Sequence, residues 1–209
     1  MLEYPITLAL LAVNVAISGY TLMADPSLLR DLSFRPVRIT QNGEYHRLLT
    51  SGFVHAGLAH LGFNMITLFF FGPLLEGTLG PGRFLLLYFG SEACAQAVTY
   101  AMHRNDLDYA SVGASGAISG VLFAFCLFEP FAQLLIFLVI PMPAILFAVL
   151  YVAISIYALD QPASGSMGRI AHEAHLGGAI GGVVITILLA PVALQIFLQK
   201  IQQGLQSFL

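Results

Sequence analysis

The sequence predicts an all-α membrane protein, a bundle of six transmembrane helices with a long, partly helical loop after the first. Two observations predict this. Of 209 residues, 58% are hydrophobic and only 9% charged, and the mean hydropathy is +0.85, whereas about 25% of residues are charged in an ordinary soluble domain. The apolar residues also fall in runs long enough to cross a hydrocarbon core, which takes about 20 residues at about 1.5 Å of rise each.

The first run is Ile6 to Ala24. Met1 to Pro5 carries no Lys or Arg and no small-residue cleavage site follows the run, so it is expected to be a retained span rather than a signal peptide. A connection from Asp25 to Gly57 follows, with Arg30, Arg35, Arg38 and Arg47 among scattered apolar residues. It is too long for a plain linker. The second span is Leu58 to Leu75, and the turn TLGPGR leads into the third, Phe84 to Met102, which HRNDLD ends. The fourth runs from Gly113 to Phe128. Leu134 to Pro143 is apolar but broken by PMP and is expected at the interface. The fifth span is Ala144 to Leu159, and after the loop DQPASGSMGR the sixth covers Ile170 to Ala190. Residues 191–209 form a Gln-rich tail, and the whole of 1–209 reads as one membrane domain.

The net charge of −3 comes from thinly spread charges without a basic block, which excludes a nucleic-acid partner and a polybasic lipid site. Cys94 and Cys126 lie in apolar stretches and read as free buried thiols.

Lipid offers no hydrogen bonds, so polar side chains at membrane depth turn to the bundle interior and often mark function. Here they cluster at the heads of three spans: His55, His60 and Asn64 on the second, Ser115 and Ser119 on the fourth, and His172, Glu173 and His175 on the sixth. Even-numbered spans run in the same direction, which puts all three clusters toward one side of the membrane. His60 and Asn64 are four residues apart and share a helix face; they are either functional donors or groups that bond neighbouring helices. His55 should point elsewhere, in a structural role.

HEAH, His172 to His175, places two histidines at i and i+3 rather than at the i and i+4 of the zincin signature, and no third ligand is evident. No metal is expected. The fourth span offers a small-residue face of Gly113, Ser115, Gly116, Ser119 and Gly120, and the sixth offers Gly177, Gly178, Gly181 and Gly182. Two such faces in contact would bring Ser115 within reach of His175, and an imidazole suits the removal of a serine proton near neutral pH. Glu173, two residues from His175, faces away, so a dyad is the simpler arrangement. Glu92 with Gln96 one turn on is a stronger oddity, an acid at membrane depth, but nothing in the sequence ties it to His175.

With these residues in place, the chain resembles the rhomboid intramembrane serine proteases. EYHRLLTSGFVHAGLAHLGFNM, Glu44 to Met65, is similar to the family's first-loop and second-span block, GASG (Gly113 to Gly116) to its nucleophile motif, and AHLGG (Ala174 to Gly178) to its histidine motif. The resemblance covers most of the chain. It implies a rhomboid-like six-helix fold and a serine endopeptidase that cleaves transmembrane segments of other membrane proteins without a cofactor. Ser115 would be the nucleophile and His175 the base; His60, Asn64 and the Ser115 backbone N–H would stabilise the oxyanion. Arg47 and Glu76 would brace the first loop, with His55 and Gly113 in supporting roles. Gly116, Gly120, Gly178 and Gly182 would allow close packing of the fourth and sixth spans.

The resemblance has departures. Position 119 is often aromatic in the family and packs on the histidine, whereas here it is Ser119; Glu92 stands where a small residue is expected, and His172 is an extra imidazole. Rival readings are a non-catalytic, client-binding rhomboid relative, which would typically lack the serine or histidine, and a transporter or haem carrier using the intramembrane histidines. The expected location is a bacterial inner membrane, in contact with the lipid bilayer and with membrane-protein substrates. The family topology puts Arg30, Arg35, Arg38, Arg47, Arg104 and Arg169 outside and only Arg83 and Lys200 inside, against the positive-inside rule. A first loop that is folded partly into the protein and membrane would reconcile the two.

Overall fold

The structure, a computed structural model, describes residues 3–136, 139–159 and 171–206. The loop expected after the fifth span, with Arg169, and the expected start of the sixth at Ile170 lie outside the described residues, as does the end of the tail.

Helix α1 is Pro5–Met23, with Pro at its first turn where a missing N–H costs nothing. Its orphan amides are nevertheless satisfied: the Glu76 carboxylate accepts the N–H of Ile6 at 2.9 Å, the N–H of Thr7 at 2.8 Å and the Thr7 hydroxyl at 2.7 Å. Glu76 thus braces the start of α1 and not the first loop as the resemblance implied, because antiparallel packing sets the end of the second span beside the beginning of the first.

The long connection is folded. It contains α2 (Ser27–Leu32), α3 (Pro36–Asn42), α4 (Arg47–Thr50) and a 3-10 turn at Ser51–Phe53. Arg47 holds it together, buried to 5% exposure; it donates to the carbonyls of Arg30 (3.0 Å) and Ser33 (2.8 Å) and to Glu44 Oε2 (2.6 Å). Phe34 and Ser111 exchange both backbone hydrogen bonds, which ties this loop to the segment ahead of the fourth span.

Helix α5 (Leu58–Leu79) runs four residues past the expected Leu75, through Pro73, and stops at Gly80, whose φ of 81° lets the chain turn into Pro81. Helix α6 is Pro81–His103 and α7 is Ser115–Phe128, which starts two residues after the expected Gly113. The stretch expected at the interface pairs as an antiparallel hairpin of β1 (Gln133–Ile136) and β2 (Ile140–Pro143), not foreseen from its composition. Helix α8 (Ala144–Leu159) matches the expected fifth span, and α9 is His172–Leu189. The tail is not irregular. It forms α10 (Val192–Gln206), because Ala193, Ile196 and Phe197 recur at helical spacing and pack on the core, while Lys200 pairs with Glu129 at 2.6 Å.

Helices α1, α5 and α9 are each long and apolar enough to cross a membrane; α7 and α8 are apolar but shorter. Helix α6 has the length, yet Ser91, Glu92, Gln96 and Thr99 dilute its apolar composition. Among the described residues, length and composition therefore support three helices as spans. At the centre of the molecule α7, the most fully buried helix, packs against α6, α9 and α5.

Candidate functional site

The small-residue faces meet. A Cβ on Gly178 would run into the backbone of Gly116, and one on Gly182 into the backbone of Gly120, so α7 and α9 touch main chain to main chain. Ser115 directly precedes the first of these contacts, and His175 lies one turn ahead of the same contact on α9. Both are part-exposed, unlike the buried glycines beside them. Among the described residues no hydrogen bond joins Ser115 Oγ to His175, and catalytic contacts are commonly long in unliganded sites.

The turn before Ser115 is built around Gly113. Its φ of 112° suits glycine, and the space a Cβ would need is filled by the His60 ring, whose Cε1 is 2.5 Å and Nε2 2.7 Å from that point. Helix α5 thus presents His60 to the turn that precedes Ser115. Asn64 lies one turn further on the same face, 6% exposed, and its Nδ2 is buried without a hydrogen-bond partner. Such an orphaned donor costs about 1–3 kcal/mol.

The amides at the start of α7 are met selectively. The Gly113 N–H donates to Ser51 O at 2.9 Å and the Ala114 N–H to His55 Nε2 at 3.4 Å. The Ala117 N–H donates to Glu92 Oε2 at 3.0 Å, while the N–H groups of Ser115 and Gly116 have no partner among the described residues. His55 is a strut: with Nε2 accepting, Nδ1 donates to Ser18 Oγ at 2.8 Å, and Ser18 donates onward to Phe53 O at 2.9 Å. Burial, and then the neighbouring His60, push its imidazole down to about 3, so it stays neutral.

Glu92 finds its explanation here. Besides Ala117 it accepts from Gln96 Nε2 at 3.0 Å, and Gln96 reaches Ser51 Oγ at 3.3 Å. A cavity of about 20 Å³ beside Ser115 is bordered by Ser51, Glu92, Gln96, Thr99 and Ser111, polar enough and just large enough for one water. Glu173 is engaged by other partners. It accepts from the Tyr109 hydroxyl at 2.5 Å and lies 3.4 Å from His103 Nε2, and the His103 ring stacks on Tyr109 at 3.9 Å. Burial and the Glu173 carboxylate push the Tyr109 hydroxyl up, which keeps it a donor. The sequence held no signal for Tyr109 or His103, because their meeting with Glu173 depends on how the loop after α6 folds back.

The Ser119 hydroxyl donates to the Ser115 carbonyl at 2.7 Å and lies 2.5 Å from the Tyr151 hydroxyl. The Tyr151 ring is stacked near the His175 imidazole, with centroids 5.9 Å apart. Among the described residues no three His, Cys, Asp or Glu side chains converge as a metal site would require.

The family model of the rhomboid domain matches residues 42–192. The chain belongs to the rhomboid family. The match takes in every motif of the site, from the first loop to α9. Among curated rhomboids, YdcA of Bacillus subtilis (strain 168) is 50% identical over 80 residues, 38% of this chain and 39% of its own length. Rhomboid protease GluP of the same organism is 33% identical over 141 residues, 67% of this chain and 25% of its own. Rhomboid protein 1, mitochondrial, of Saccharomyces cerevisiae is 31% identical over 180 residues, 84% of this chain and 51% of its own. The chain thus spans between a quarter and about half of the length of these relatives. Rhomboids are integral membrane proteins and generally intramembrane serine proteases, and the apolar helices of this chain fit a membrane setting.

Proposed function

We propose that this rhomboid is an intramembrane serine endopeptidase, with Ser115 as nucleophile and His175 as general base, acting on transmembrane segments of other membrane proteins. The observation that carries the reading is the main-chain contact of Gly116 with Gly178, which brings the two helices together next to Ser115 and one turn from His175. Ser115 Oγ attacks the scissile carbonyl as His175 takes its proton. The tetrahedral oxyanion accepts hydrogen bonds from the open Ser115 N–H, from Asn64 Nδ2 and from His60. The departing amine takes the proton from His175, and water then hydrolyses the acyl-enzyme by the same exchange. Arg47, His55, Glu76 and Gly113 hold this frame, and Gly116, Gly120, Gly178 and Gly182 set its spacing.

The chemistry needs no metal or organic cofactor. A substrate helix must unwind locally, because a closed helix hides its carbonyls. The reading places residues 1–209 as a single rhomboid-like domain of six membrane-embedded helices in a bacterial inner membrane. A client-binding relative would need neither an open Ser115 N–H nor a partnerless Asn64 amide. A haem carrier finds His55 already committed to Ser18 and Ala114.

The test is cleavage of a single-span substrate by the protein reconstituted in liposomes, beside Ser115→Ala and His175→Ala. Each variant is expected to lose at least about a thousandfold in kcat. Retained cleavage in either overturns the dyad.

A further inference from the structure

None of the hydrogen bonds among the described residues fixes the His175 ring, yet a base must hold its ring nitrogen toward the serine to within a fraction of an ångström. The packing around the ring supplies what hydrogen bonds do not. His172 meets it edge-on at 6.0 Å. Tyr151 of α8 lies 5.9 Å away with its plane only 29° from parallel. Tyr151 is itself held by Phe123 at 5.5 Å and Phe147 at 5.6 Å.

The Tyr151 hydroxyl reaches Ser119 on α7. Ser119 spends its own proton on the Ser115 carbonyl, so Tyr151 is the donor and the order is Tyr151 to Ser119 to Ser115. A ring that packs on the base is thereby tethered to the backbone of the nucleophile. We propose that Tyr151 is a positioning residue for His175, that its ring supports the imidazole from α8, and that Ser119 anchors that ring from the nucleophile helix. This rests on the Ser115 and His175 reading above. Ser119 is small because the aromatic support comes from another helix and needs the room. Only Ala144 and Ser155 of α8 are buried and Tyr151 itself is part-exposed, so the orientation of the base depends on a lightly buried helix.

The experiment uses the full chain in liposomes, a single-span substrate and a fluorophosphonate that labels an activated serine. Wild type and Ser115→Ala come first: cleavage or labelling that survives Ser115→Ala sinks the protease reading itself, independently of Tyr151. With that control passed, Tyr151→Ala is expected to lower kcat about 10–100-fold, leave KM within about twofold, and slow labelling by the same factor. Tyr151→Phe keeps the ring and is expected to stay within about threefold of wild type. Ser119→Ala breaks the same bond and should likewise stay within about threefold of wild type, with nothing further lost in the Tyr151→Ala background. Tyr151→Leu preserves apolar volume without a ring and decides the matter if a thermal melt shows Tyr151→Ala unfolded; it is expected to behave as the Ala variant should. Unchanged kcat in Tyr151→Leu, a loss confined to KM, or Tyr151→Phe as slow as Tyr151→Leu would each overturn the proposal.

Discussion

The Glu92 carboxylate on α6 accepts the backbone N–H of Ala117 on α7 at 3.0 Å, so the helix that begins at Ser115 is capped by a residue from a different helix. The N-cap position itself is Ala114, which has no side chain for the task. Glu92→Ala leaves the Ala117 amide and the Gln96 side chain without their acceptor and should cost about 1–3 kcal/mol in detergent unfolding. Glu92→Gln keeps an acceptor for Ala117 and should recover most of that. Equal stability of the Ala variant and wild type would show that the cap contributes nothing.

The four glycines between α7 and α9 make the most severe prediction. Gly178→Ala or Gly182→Ala drives a methyl into backbone that has no side chain to move aside, so the helices must separate. Overpacking of this kind typically costs about 1–3 kcal/mol. Gly62 on α5 is the control, since a Cβ there meets nothing within 4 Å. Gly62→Ala should be neutral or stabilise by about 0.4–1 kcal/mol through the unfolded chain. Melting temperatures of the three variants, with cleavage assays alongside, would separate a packing requirement from a general intolerance of glycine replacement.

How much of this was legible in the sequence follows from the range of the interactions. Helix positions, the shared face of His60 and Asn64, and the contact of the two glycine faces rest on local periodicity and residue size, which a sequence displays directly. Ser119 became intelligible only with Tyr151, thirty-two residues away and on a helix whose composition hides one inward tyrosine among lipid-facing residues. Glu92 was visible as an oddity but its partner is a backbone amide, which no side-chain pattern reveals. Glu76 was assigned to the wrong neighbour because its acceptors serve the amides of Ile6 and Thr7, again main-chain groups. The hairpin at Gln133–Ile136 and Ile140–Pro143 escaped because two prolines in a short apolar run argue against a strand, though an edge strand tolerates them.

Arg47 should not tolerate Lys. Its guanidinium spans the carbonyls of Arg30 and Ser33 and the Glu44 carboxylate at once, and a single ammonium cannot reproduce that fork. Hydrogen bonds from Asn42 and then Arg47 hold the Glu44 carboxyl down to about 2. Arg47→Lys is expected to lose about 1–3 kcal/mol and Arg47→Ala more, because the Ser33 carbonyl is then left unpaired and the Arg30 carbonyl keeps only the Ser33 hydroxyl. Limited proteolysis between Asp25 and Gly57 would read the effect directly, as faster cutting of the loop while α5 to α9 remain intact. Unchanged protection in Arg47→Ala would remove Arg47 from the account of the loop.

His55 sets a pH limit on the site. Its folded-state value of about 3 lies below the ordinary 6.5 of an exposed imidazole, so between those two values the unfolded chain binds a proton that the folded chain refuses. The contribution of His55 is therefore complete above about pH 6.5 and is lost progressively as pH falls toward 3, at up to about 1.4 kcal/mol per unit. Protonation would also turn Nε2 from an acceptor into a donor facing the Ala114 N–H, which pushes on the residue just before Ser115. His55→Gln offers an acceptor to Ala114 and does not titrate. The difference in melting temperature between wild type and His55→Gln, followed from pH 7 to pH 4, is expected to move steadily in favour of the Gln variant as acid is added. Parallel curves for the two proteins would mean that His55 is not held neutral between Ser18 and Ala114.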